Sequence, residues 1–204
     1  MLYLFSIPSG FSEGKRELFN RLEKTAYNFR QVETDIYRSG KISKEAVPAL
    51  KGLGIKTVIS FDDWPSRIEK EKGFLKDSGI EFISIPWSGF DYPEDGVIEK
   101  IHAVMKNPAK RPILVHCKHG QERTGVVIAT WRIAEEGWDV HRAYQEMRSC
   151  GFRPFQYGHL KNYVYDFAKR RGQSAKIEKF EQAKTDFLYR IYQLRKLNPF
   201  KKTL

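Results

Sequence analysis

Apolar residues follow two spacings that alternate along the chain. Short apolar or alternating runs predict strands at residues 29–32, 36–37, 55–61, 80–86 and 112–115. The stretches before, between and after them are compatible with helices at residues 14–27, 43–53, 66–79, 93–105, 123–136, 139–149 and 156–170. Strands that alternate with helices predict an α/β fold in which helices flank a central, mostly parallel sheet.

Residues typical of helix ends support these positions. Ser43 and Ser66 are suitable N-caps, and Gly54 is a suitable C-terminal stop. Pro93 suits the first position of a helix, because no backbone N–H is needed there. Acidic residues follow Pro93 in the predicted first turn, where the helix dipole favours them.

The last segment, residues 172–204, has apolar residues at helical spacing and follows the predicted α/β domain, residues 1–171. Its apolar positions are Ile177, Phe180, Phe187, Ile191 and Leu194. We expect a basic amphipathic helix that docks on the domain or extends it. The alternatives are contact with an anionic membrane surface or with a partner protein.

Charge is distributed unevenly, and this changes the interpretation of the net charge of +11. From residue 168 onwards there are eleven Lys or Arg side chains and three acidic ones, so the preceding residues are only mildly cationic. The length of 204 residues and the hydrophobic fraction of 41% fit one soluble globular domain, for which we expect no nucleic-acid partner. No apolar run approaches the ~20 residues of a membrane span, and the apolar start lacks the basic region of a signal peptide.

The two cysteines, Cys117 and Cys150, are too few for a disulfide scaffold and have no metal-ligand spacing. We therefore expect neither a metal nor a cofactor. Cys150 could form a protective disulfide with Cys117 on oxidation, although the sequence does not place the two thiols near each other.

Cys117 lies in a loop between a predicted strand, residues 113–115, and a predicted helix that begins at about Arg123. A strand–loop–helix unit of this kind directs backbone N–H groups and the positive end of a helix dipole at one place. That place favours a phosphoryl dianion. It also favours the thiolate form of a cysteine, which is the nucleophilic form. Cys117 is therefore the candidate nucleophile.

Four residues near Cys117 suit phosphoryl chemistry, each for its own reason. Gly120 lets the loop curl tightly because it has no Cβ. Arg123 can bind two phosphoryl oxygens at once and stabilise charge in the transition state. Thr124 can donate its hydroxyl to the cysteine sulfur when that sulfur leaves. His116, at the end of the strand, is expected to orient the loop rather than to act as a base.

The remaining loop residues are candidates for binding phosphate or substrate. Lys118 and His119 lie beside the nucleophile, where positive groups suit a substrate with several phosphates. Gln121 and Glu122 complete the loop, and Glu122 partly offsets the positive charge. The alternative is that Lys118 and Glu122 are ordinary solvated loop residues.

The segment closely resembles the signature of the cysteine-based protein-tyrosine phosphatase superfamily. In that signature His-Cys is followed by five residues, then by Arg and by Ser or Thr. Here the pattern consists of His116, Cys117, residues 118–122, Arg123 and Thr124. The resemblance implies a tyrosine-phosphatase-like fold and hydrolysis of phosphomonoesters through a phosphocysteine intermediate.

A wider resemblance covers about residues 28–168. It concerns the atypical dual-specificity phosphatases of plants, fungi and bacteria, and the tyrosine-phosphatase-like phytases. Four segments carry it, at residues 28–30, 36–40, 53–59 and 93–95. The chain is shorter than the large tyrosine phosphatases and has no Trp-Pro-Asp motif, since residues 63–65 contain those letters in another order.

The resemblance also implies a general acid, an aspartate on a loop ahead of the helix that precedes the signature strand. The candidates are Asp91, Asp63 and Asp95. Asp95 has a structural explanation of its own, because an acid suits the first turn of a helix. We therefore expect Asp91, in a loop that could close over a substrate, to protonate the leaving group.

The substrate class that we favour is an inositol polyphosphate, with a phosphotyrosine protein or a phosphoinositide lipid as alternatives. Nearby aromatic residues, Trp87, Phe90 and Tyr92, could flank a phosphotyrosine ring or could belong to the core. We expect a monomer that acts on a phosphorylated small molecule or phosphoprotein. The expected compartment is the cytoplasm, because a reactive thiolate is safest under reducing conditions, with export as the alternative if a leader precedes residue 1.

Overall fold

The computed structural model describes residues 12–94 and 96–174, together with residues 187, 189–191 and 193. Within them, one sheet has the strands Arg30–Glu33 (β1), Ile36–Ser39 (β2), Thr57–Ser60 (β3), Glu81–Ser84 (β4) and Ile113–His116 (β5). Their order across the sheet is β1-β2-β5-β3-β4. β2, β5, β3 and β4 are parallel, whereas β1 is antiparallel to β2. The predicted α/β fold with a mostly parallel central sheet is therefore confirmed.

Helices cover both faces of the sheet, and each overlaps a helix that the sequence predicts. They are Glu13–Thr25 (α1), Val47–Gly52 (α2), Pro65–Leu75 (α3), Val97–Lys106 (α4), Arg123–Glu135 (α5), Val140–Ser149 (α6) and Pro154–Arg170 (α7). Short 3₁₀ turns at Lys44–Ala46 and Pro108–Lys110 precede α2 and β5.

Strand β5 lies at the centre of the sheet and is buried on both faces. Successive side chains of a strand point to opposite faces. Ile113 and Val115 pack with residues of α4 to α7, whereas Leu114 packs with residues of α1, α2 and α3. Cys117, two positions after Val115, belongs to the first of these clusters. The alternation of the strand therefore continues into the loop and places Cys117 on the face that α5 covers.

Helix α4 begins later than the sequence predicts, at Val97 rather than at Pro93. Gly96 has a left-handed backbone with φ of 79°, which a right-handed helix cannot include. The predicted first turn is therefore a loop at Pro93. The candidate acid Asp95 lies outside the described residues.

Two predicted caps have other roles. Ser66 lies inside α3, because the helix begins one residue earlier at Pro65, whose fixed φ suits a first helical position. Ser43 precedes a 3₁₀ turn, and its side chain makes no capping hydrogen bond. The predicted stop at Gly54 fits its backbone, which is left-handed with φ of 74°.

The predicted C-terminal helix, residues 172–204, lies largely outside the described residues, so the division into this segment and residues 1–171 stays a prediction. One described position does contact the domain. The ring centroid of Tyr189 lies 5.4 Å from that of Tyr92 and 5.0 Å from that of His159. Within the residues that can be described, no helix combines the length and apolar character needed to cross a membrane.

Candidate active site

Cys117 lies directly after β5, at the carboxyl end of the parallel strands, and lines a pocket of about 370 Å³. It is a free cysteine and only 2% exposed. The β3–α3 loop, the β4–α4 loop and the loop between β5 and α5 supply most of the wall. The lining residues are Asp63, Trp64, Arg67, Gly89, Phe90, Cys117, Lys118, His119, Glu122, Arg123 and Tyr157.

The loop of residues 117–122, which we call the Cys117 loop, curls tightly against β2. Gly120 has a φ of 67°, and a Cβ on it would lie 2.6 Å from the backbone of Ser39. Its carbonyl accepts a hydrogen bond from Nη2 of Arg38 at 2.8 Å. The close approach and the left-handed backbone together require glycine at this position.

Helix α5 begins immediately after the Cys117 loop, so the unpaired N–H groups of its first turn point back toward that loop. The hydroxyl of Thr124 is fully buried and has no hydrogen-bond partner among the described residues. It is therefore available to the sulfur of Cys117, in the role that the sequence predicts. Gly125 lets α6 approach, because a Cβ there would lie 2.9 Å from Cγ of Met147.

The guanidinium of Arg123 is buried and oriented through one nitrogen. Nη1 donates to the carbonyls of Phe61 at 2.6 Å and Trp87 at 2.9 Å. It also lies 2.9 Å from the carboxylate of Asp63. Its Nε and Nη2 atoms have no hydrogen-bond partner in the described part of the chain. Since Arg123 lines the pocket, these two nitrogens could bind two oxygens of one phosphoryl group.

The two described candidates for the acid occupy different positions. Asp63 lines the pocket and pairs with Arg123. Asp91 follows the pocket-lining Phe90, but it is not itself part of the wall, and its Oδ1 accepts from Nε2 of Gln193 at 2.8 Å. Asp91 would therefore need a movement of its loop to reach the reacting atoms. Its assignment as the acid stays a prediction.

The sequence leaves open whether Lys118 and Glu122 of the Cys117 loop are ordinary solvated residues. Glu122 is 5% exposed, and its Oε1 pairs with Nε of Arg153 at 2.9 Å, so this acid is neutralised rather than solvated. Burial lowers the pKa of His119; Glu122 opposes this effect and Lys118 adds to it. His119 is therefore neutral at pH 7. The positive charge of the loop comes from Lys118.

A cluster at the pocket mouth, formed by Asp62, Trp64 and Arg67, is not predicted by the sequence. The buried carboxylate of Asp62 accepts two hydrogen bonds from Arg67, at 2.8 and 2.6 Å. Burial raises the pKa of Asp62, but hydrogen bonds from Arg67 and from the Trp64 amide outweigh it and leave the pKa lowered. The guanidinium carbon lies 4.6 Å from the centroid of the Trp64 ring. Asp62 thus holds an arginine and an exposed indole at the mouth.

Aromatic residues form another part of the wall. Phe90 is 42% exposed and stacks on Tyr157, with ring centroids 5.3 Å apart. Trp87 instead belongs to the core, and Tyr92 packs edge-on against His159. Of the three aromatic residues that the sequence singles out, Phe90 is the one in the pocket wall.

Cys150 is buried, and its backbone is tied to the Cys117 loop through one side chain. Nδ2 of Asn28 donates to the carbonyls of Cys150 at 2.9 Å and Gly120 at 3.1 Å. A disulfide between Cys150 and Cys117 stays a prediction, since both are free thiols here. Among the described residues, no three His, Cys, Asp or Glu side chains are arranged to hold a metal ion.

Comparison with known proteins finds a family model and curated relatives that match this chain. A family model described as "Tyrosine phosphatase family" matches residues 25–185. The dual specificity protein phosphatase TpbA of Pseudomonas aeruginosa is 31% identical over 127 residues, which are 61% of this chain and 55% of that protein. The inositol diphosphatase SIW14 of Saccharomyces cerevisiae is 30% identical over 132 residues, which are 61% of this chain and 46% of that protein. The chain spans about half the length of these curated relatives.

Solved structures show the same fold. The core catalytic domain of the PP-IP phosphatase SIW14 from S. cerevisiae, in complex with citrate, matches with a TM-score of 0.58 and 26% identity. The match covers 72% of this chain and 94% of that one. The structure of P. aeruginosa TpbA matches with a TM-score of 0.59, over 79% of this chain and 90% of that one. Its identity in that match is 24%, so it supports the fold alone.

Proposed function

We propose that this chain, which belongs to the tyrosine phosphatase family, is a cysteine-dependent phosphomonoester hydrolase. The observation that carries the proposal is the convergence of Cys117, Arg123 and the N-terminus of α5 at one pocket. A thiolate can attack phosphorus, and a guanidinium with two available nitrogens can hold phosphoryl oxygens beside the helix N–H groups. Together these groups supply both the nucleophile and the electrostatic stabilisation that the reaction requires.

The proposed reaction has two steps. The Cys117 thiolate attacks phosphorus opposite the ester oxygen, so an S–P bond forms while the P–O bond breaks. Arg123 and the loop N–H groups hold the three equatorial oxygens, and Asp91 is the predicted donor of a proton to the leaving oxygen. In the second step water gives a proton to the same Asp91 carboxylate and attacks phosphorus, so an O–P bond forms, the S–P bond breaks, and phosphate and the Cys117 thiolate are released. The buried Thr124 hydroxyl can stabilise the departing thiolate.

For the substrate we propose an inositol polyphosphate. The relative SIW14 is named an inositol diphosphatase, as are several plant relatives. A substrate with several phosphates leaves some of them outside the pocket base, where cationic side chains could bind them. Lys118 and Arg67 line the pocket in positions to do so.

Phosphotyrosine in a protein is the second candidate, because two exposed aromatic side chains line the pocket. Trp64 is 61% exposed and Phe90 is 42% exposed. Either ring could pack on the aromatic ring of a phosphotyrosine. A phosphoinositide lipid is the third candidate, and it would give the basic C-terminal segment a role at an anionic membrane.

The test is phosphate release from inositol hexakisphosphate, a phosphotyrosine peptide and a soluble phosphoinositide, compared by kcat/KM. The proposal predicts the highest value for the inositol polyphosphate. A higher value for the peptide would favour the second candidate, and no release from any of the three would contradict the hydrolase itself. Cys117→Ser is the blank, which should bind substrate without releasing phosphate.

A charge variant tests the substrate class separately. Lys118→Gln should lower kcat/KM on the inositol polyphosphate about tenfold, the value of one hydrogen bond to a charged group, and should affect the peptide less. Lys51→Gln is the matched control, because Lys51 lies exposed on α2 and does not line the pocket. Equal losses on both substrates would contradict a special role for several phosphates.

We also propose a cytoplasmic location and a monomeric state for this protein.

A further inference from the structure

Two consecutive aspartates after β3 each hold one arginine of the pocket. Asp62 accepts from Nε and Nη2 of Arg67, at 2.8 and 2.6 Å. Asp63 accepts from Nη1 of Arg123 at 2.9 Å. Both arginines line the same pocket as Cys117. Since the Cα atoms of adjacent residues are about 3.8 Å apart, the two guanidinium groups have neighbouring anchors, and the β3–α3 loop orients both of them toward one pocket.

The pairing with Asp62 occupies one edge of the Arg67 guanidinium. A guanidinium group has five N–H groups, and two of them, one on Nε and one on Nη2, are used for this carboxylate. Nη1 has no hydrogen-bond partner in the part of the chain that the structure describes. The side chain of Arg67 is 22% exposed, so the remaining N–H groups on Nη1 and Nη2 are available to a ligand in the pocket. Together they can bind two oxygens of one phosphoryl group.

The orientation of Arg67 is fixed without a ligand. Asp62 is buried, and its Oδ1 also accepts from the backbone N–H of Trp64 at 3.1 Å. The guanidinium carbon of Arg67 lies 4.6 Å from the centroid of the Trp64 ring. One carboxylate therefore holds both the arginine and the residue that stacks on it. A side chain held in this way loses little conformational freedom on binding, which favours affinity.

The negative charge of Asp62 does not cancel the attraction of Arg67 for an anion. The carboxylate lies against the Nε and Nη2 edge, whereas Nη1 is on the other side of the guanidinium. An anion at Nη1 is closer to the positive group than to the negative one, so the net Coulomb energy is favourable. Arg123 has the same arrangement, with Asp63 at one nitrogen and two other nitrogens left for the pocket.

We propose that Arg67 is a second phosphoryl subsite, which binds the phosphoryl group next to the one held at Arg123, and that Asp62 positions it. The ligand is a small molecule that carries several phosphoryl groups close together. A phosphotyrosine side chain has a single phosphoryl group and would leave this subsite empty. The inference deepens the proposed function, and it rests on that function in placing the group to be hydrolysed at Cys117 and Arg123.

The experiment compares binding of inositol hexakisphosphate and of inorganic phosphate to Cys117→Ser protein, with and without the double substitution Asp62→Asn/Arg67→Gln. The double variant removes one positive and one negative charge, so the net charge is unchanged and no buried carboxylate is left without its partner. We expect Kd for inositol hexakisphosphate to rise about tenfold, the value of one hydrogen bond to a charged group. Kd for inorganic phosphate, which fills one position, should rise much less. Equal factors for the two ligands, or no loss for the hexakisphosphate, would overturn the proposal.

Arg142→Gln, in the same Cys117→Ser background, is the matched control. Arg142 lies exposed on α6, and its guanidinium carbon also lies over a tryptophan, 3.6 Å from the centroid of the Trp138 ring. It does not line the pocket, so solvent and salt screen its charge and neither Kd should change by more than about twofold. A loss equal to that of the double variant would contradict a specific subsite at Arg67.

Failure of this inference and failure of the proposed function give different results, because binding requires no turnover. A wild-type chain that releases no phosphate would contradict the proposed function. The comparison of the two Kd values in Cys117→Ser protein would still decide whether Arg67 binds a second phosphoryl group.

A second measurement does not depend on the folding of the double variant. In Cys117→Ser protein, the nitrogen-15 NMR signal of the Arg67 Nε–H group should shift more when inositol hexakisphosphate saturates the pocket than when inorganic phosphate does. Arg67→Lys keeps the charge and can still pair with Asp62, and the loss of the signal in this variant identifies it. An absent response, or an equal response to both ligands, would overturn the proposal.

Discussion

The carboxylate of Asp63 lies 2.9 Å from Nη1 of Arg123, a nitrogen that also donates to two backbone carbonyls. Three acceptors around one nitrogen fix the plane of the guanidinium and leave its other nitrogens for the pocket. The pair can form because β3 and β5 are adjacent and parallel, so the loops that follow them meet at one edge of the sheet. The arginine proposed to bind phosphate is therefore oriented by the loop after β3.

Asp63→Asn should weaken substrate binding more than turnover. The amide keeps the size of the side chain but removes the charge that orients Arg123. We expect KM to rise about tenfold, which corresponds to roughly 1.4 kcal/mol and is close to the value of one hydrogen bond to a charged group, with kcat within about twofold. Steady-state kinetics on an alkyl phosphate and on p-nitrophenyl phosphate measure this. A loss of kcat confined to the alkyl phosphate would instead make Asp63 the acid.

Asp91→Ala should show a strong dependence on the leaving group. An alkoxide must be protonated as it leaves, whereas nitrophenolate departs readily without a proton. If Asp91 is the acid, kcat on an alkyl phosphate should fall by about 10² to 10⁴, and kcat on p-nitrophenyl phosphate should fall much less. Asp166→Ala, at an exposed position on α7 that pairs with Lys169, is the control. Equal and small losses on both substrates would remove Asp91 from the mechanism.

The features that could be predicted from the sequence are local ones. Strand β5 is a short apolar run, and the turn after it needs a glycine at Gly120, so both are recognisable within a short segment. The same holds for Arg123 and Thr124, which follow at the start of a helix. The roles of Gly120, Arg123 and Thr124 follow from their positions between β5 and α5. No distant part of the chain is needed to identify them.

The features that could not be predicted depend on which segments become neighbours. The pairs Arg123–Asp63 and His116–Glu71 both exist because β3 is placed next to β5, and that order follows from tertiary packing rather than from either segment alone. Arg67 gives one weak sequence signal that a carboxylate from elsewhere in the chain lies nearby. It lies in the first turn of a helix, where the dipole disfavours a cation, and it therefore needs the carboxylate that the fold provides.

Gly120→Ala should displace the Cys117 loop. The added Cβ would lie 2.6 Å from backbone atoms of β2 and its successor, which cannot move aside like a flexible side chain. We expect at least a hundredfold loss of kcat/KM, because misplacing catalytic groups by about 1 Å has an effect of about this size. Kinetics and a thermal melt measure the change.

Gly137→Ala separates this clash from backbone strain. Gly137 has nearly the same φ, 66°, but a Cβ there would meet nothing within 4 Å. It should lose about 1 kcal/mol of stability from the left-handed backbone and retain its activity. Comparable activity losses in the two variants would contradict the steric explanation for Gly120.

His159, on α7, fixes the loop that carries Asp91. Its Nε2 lies 3.2 Å from the carbonyl of Gly89, to which the neutral ring can donate. Burial lowers the pKa of His159 to about 4, although the bond to Gly89 and the charge of Asp91 act against this. The ring is therefore neutral in the folded protein at pH 7. Unfolding returns it to water, where its ordinary value is about 6.5.

This difference makes stability depend on pH in a definite direction. The folded pKa lies below the unfolded one, so the contribution of His159 is complete above about pH 6.5 and is lost as the pH falls toward 4. Between pH 7 and pH 4.5 the loss should be about 2 kcal/mol of the free energy of unfolding. His159→Gln can still donate to Gly89 but does not titrate, and it should reduce the acid sensitivity by that amount in urea titrations.

Two other histidines serve as checks on this prediction. His102 is also buried with a lowered pKa, but it is present in both proteins, so its contribution cancels in the comparison. His141→Gln, at an exposed position, is the control. If His159→Gln and wild type lost stability in parallel down to pH 4.5, the buried neutral ring would not be a source of the acid sensitivity.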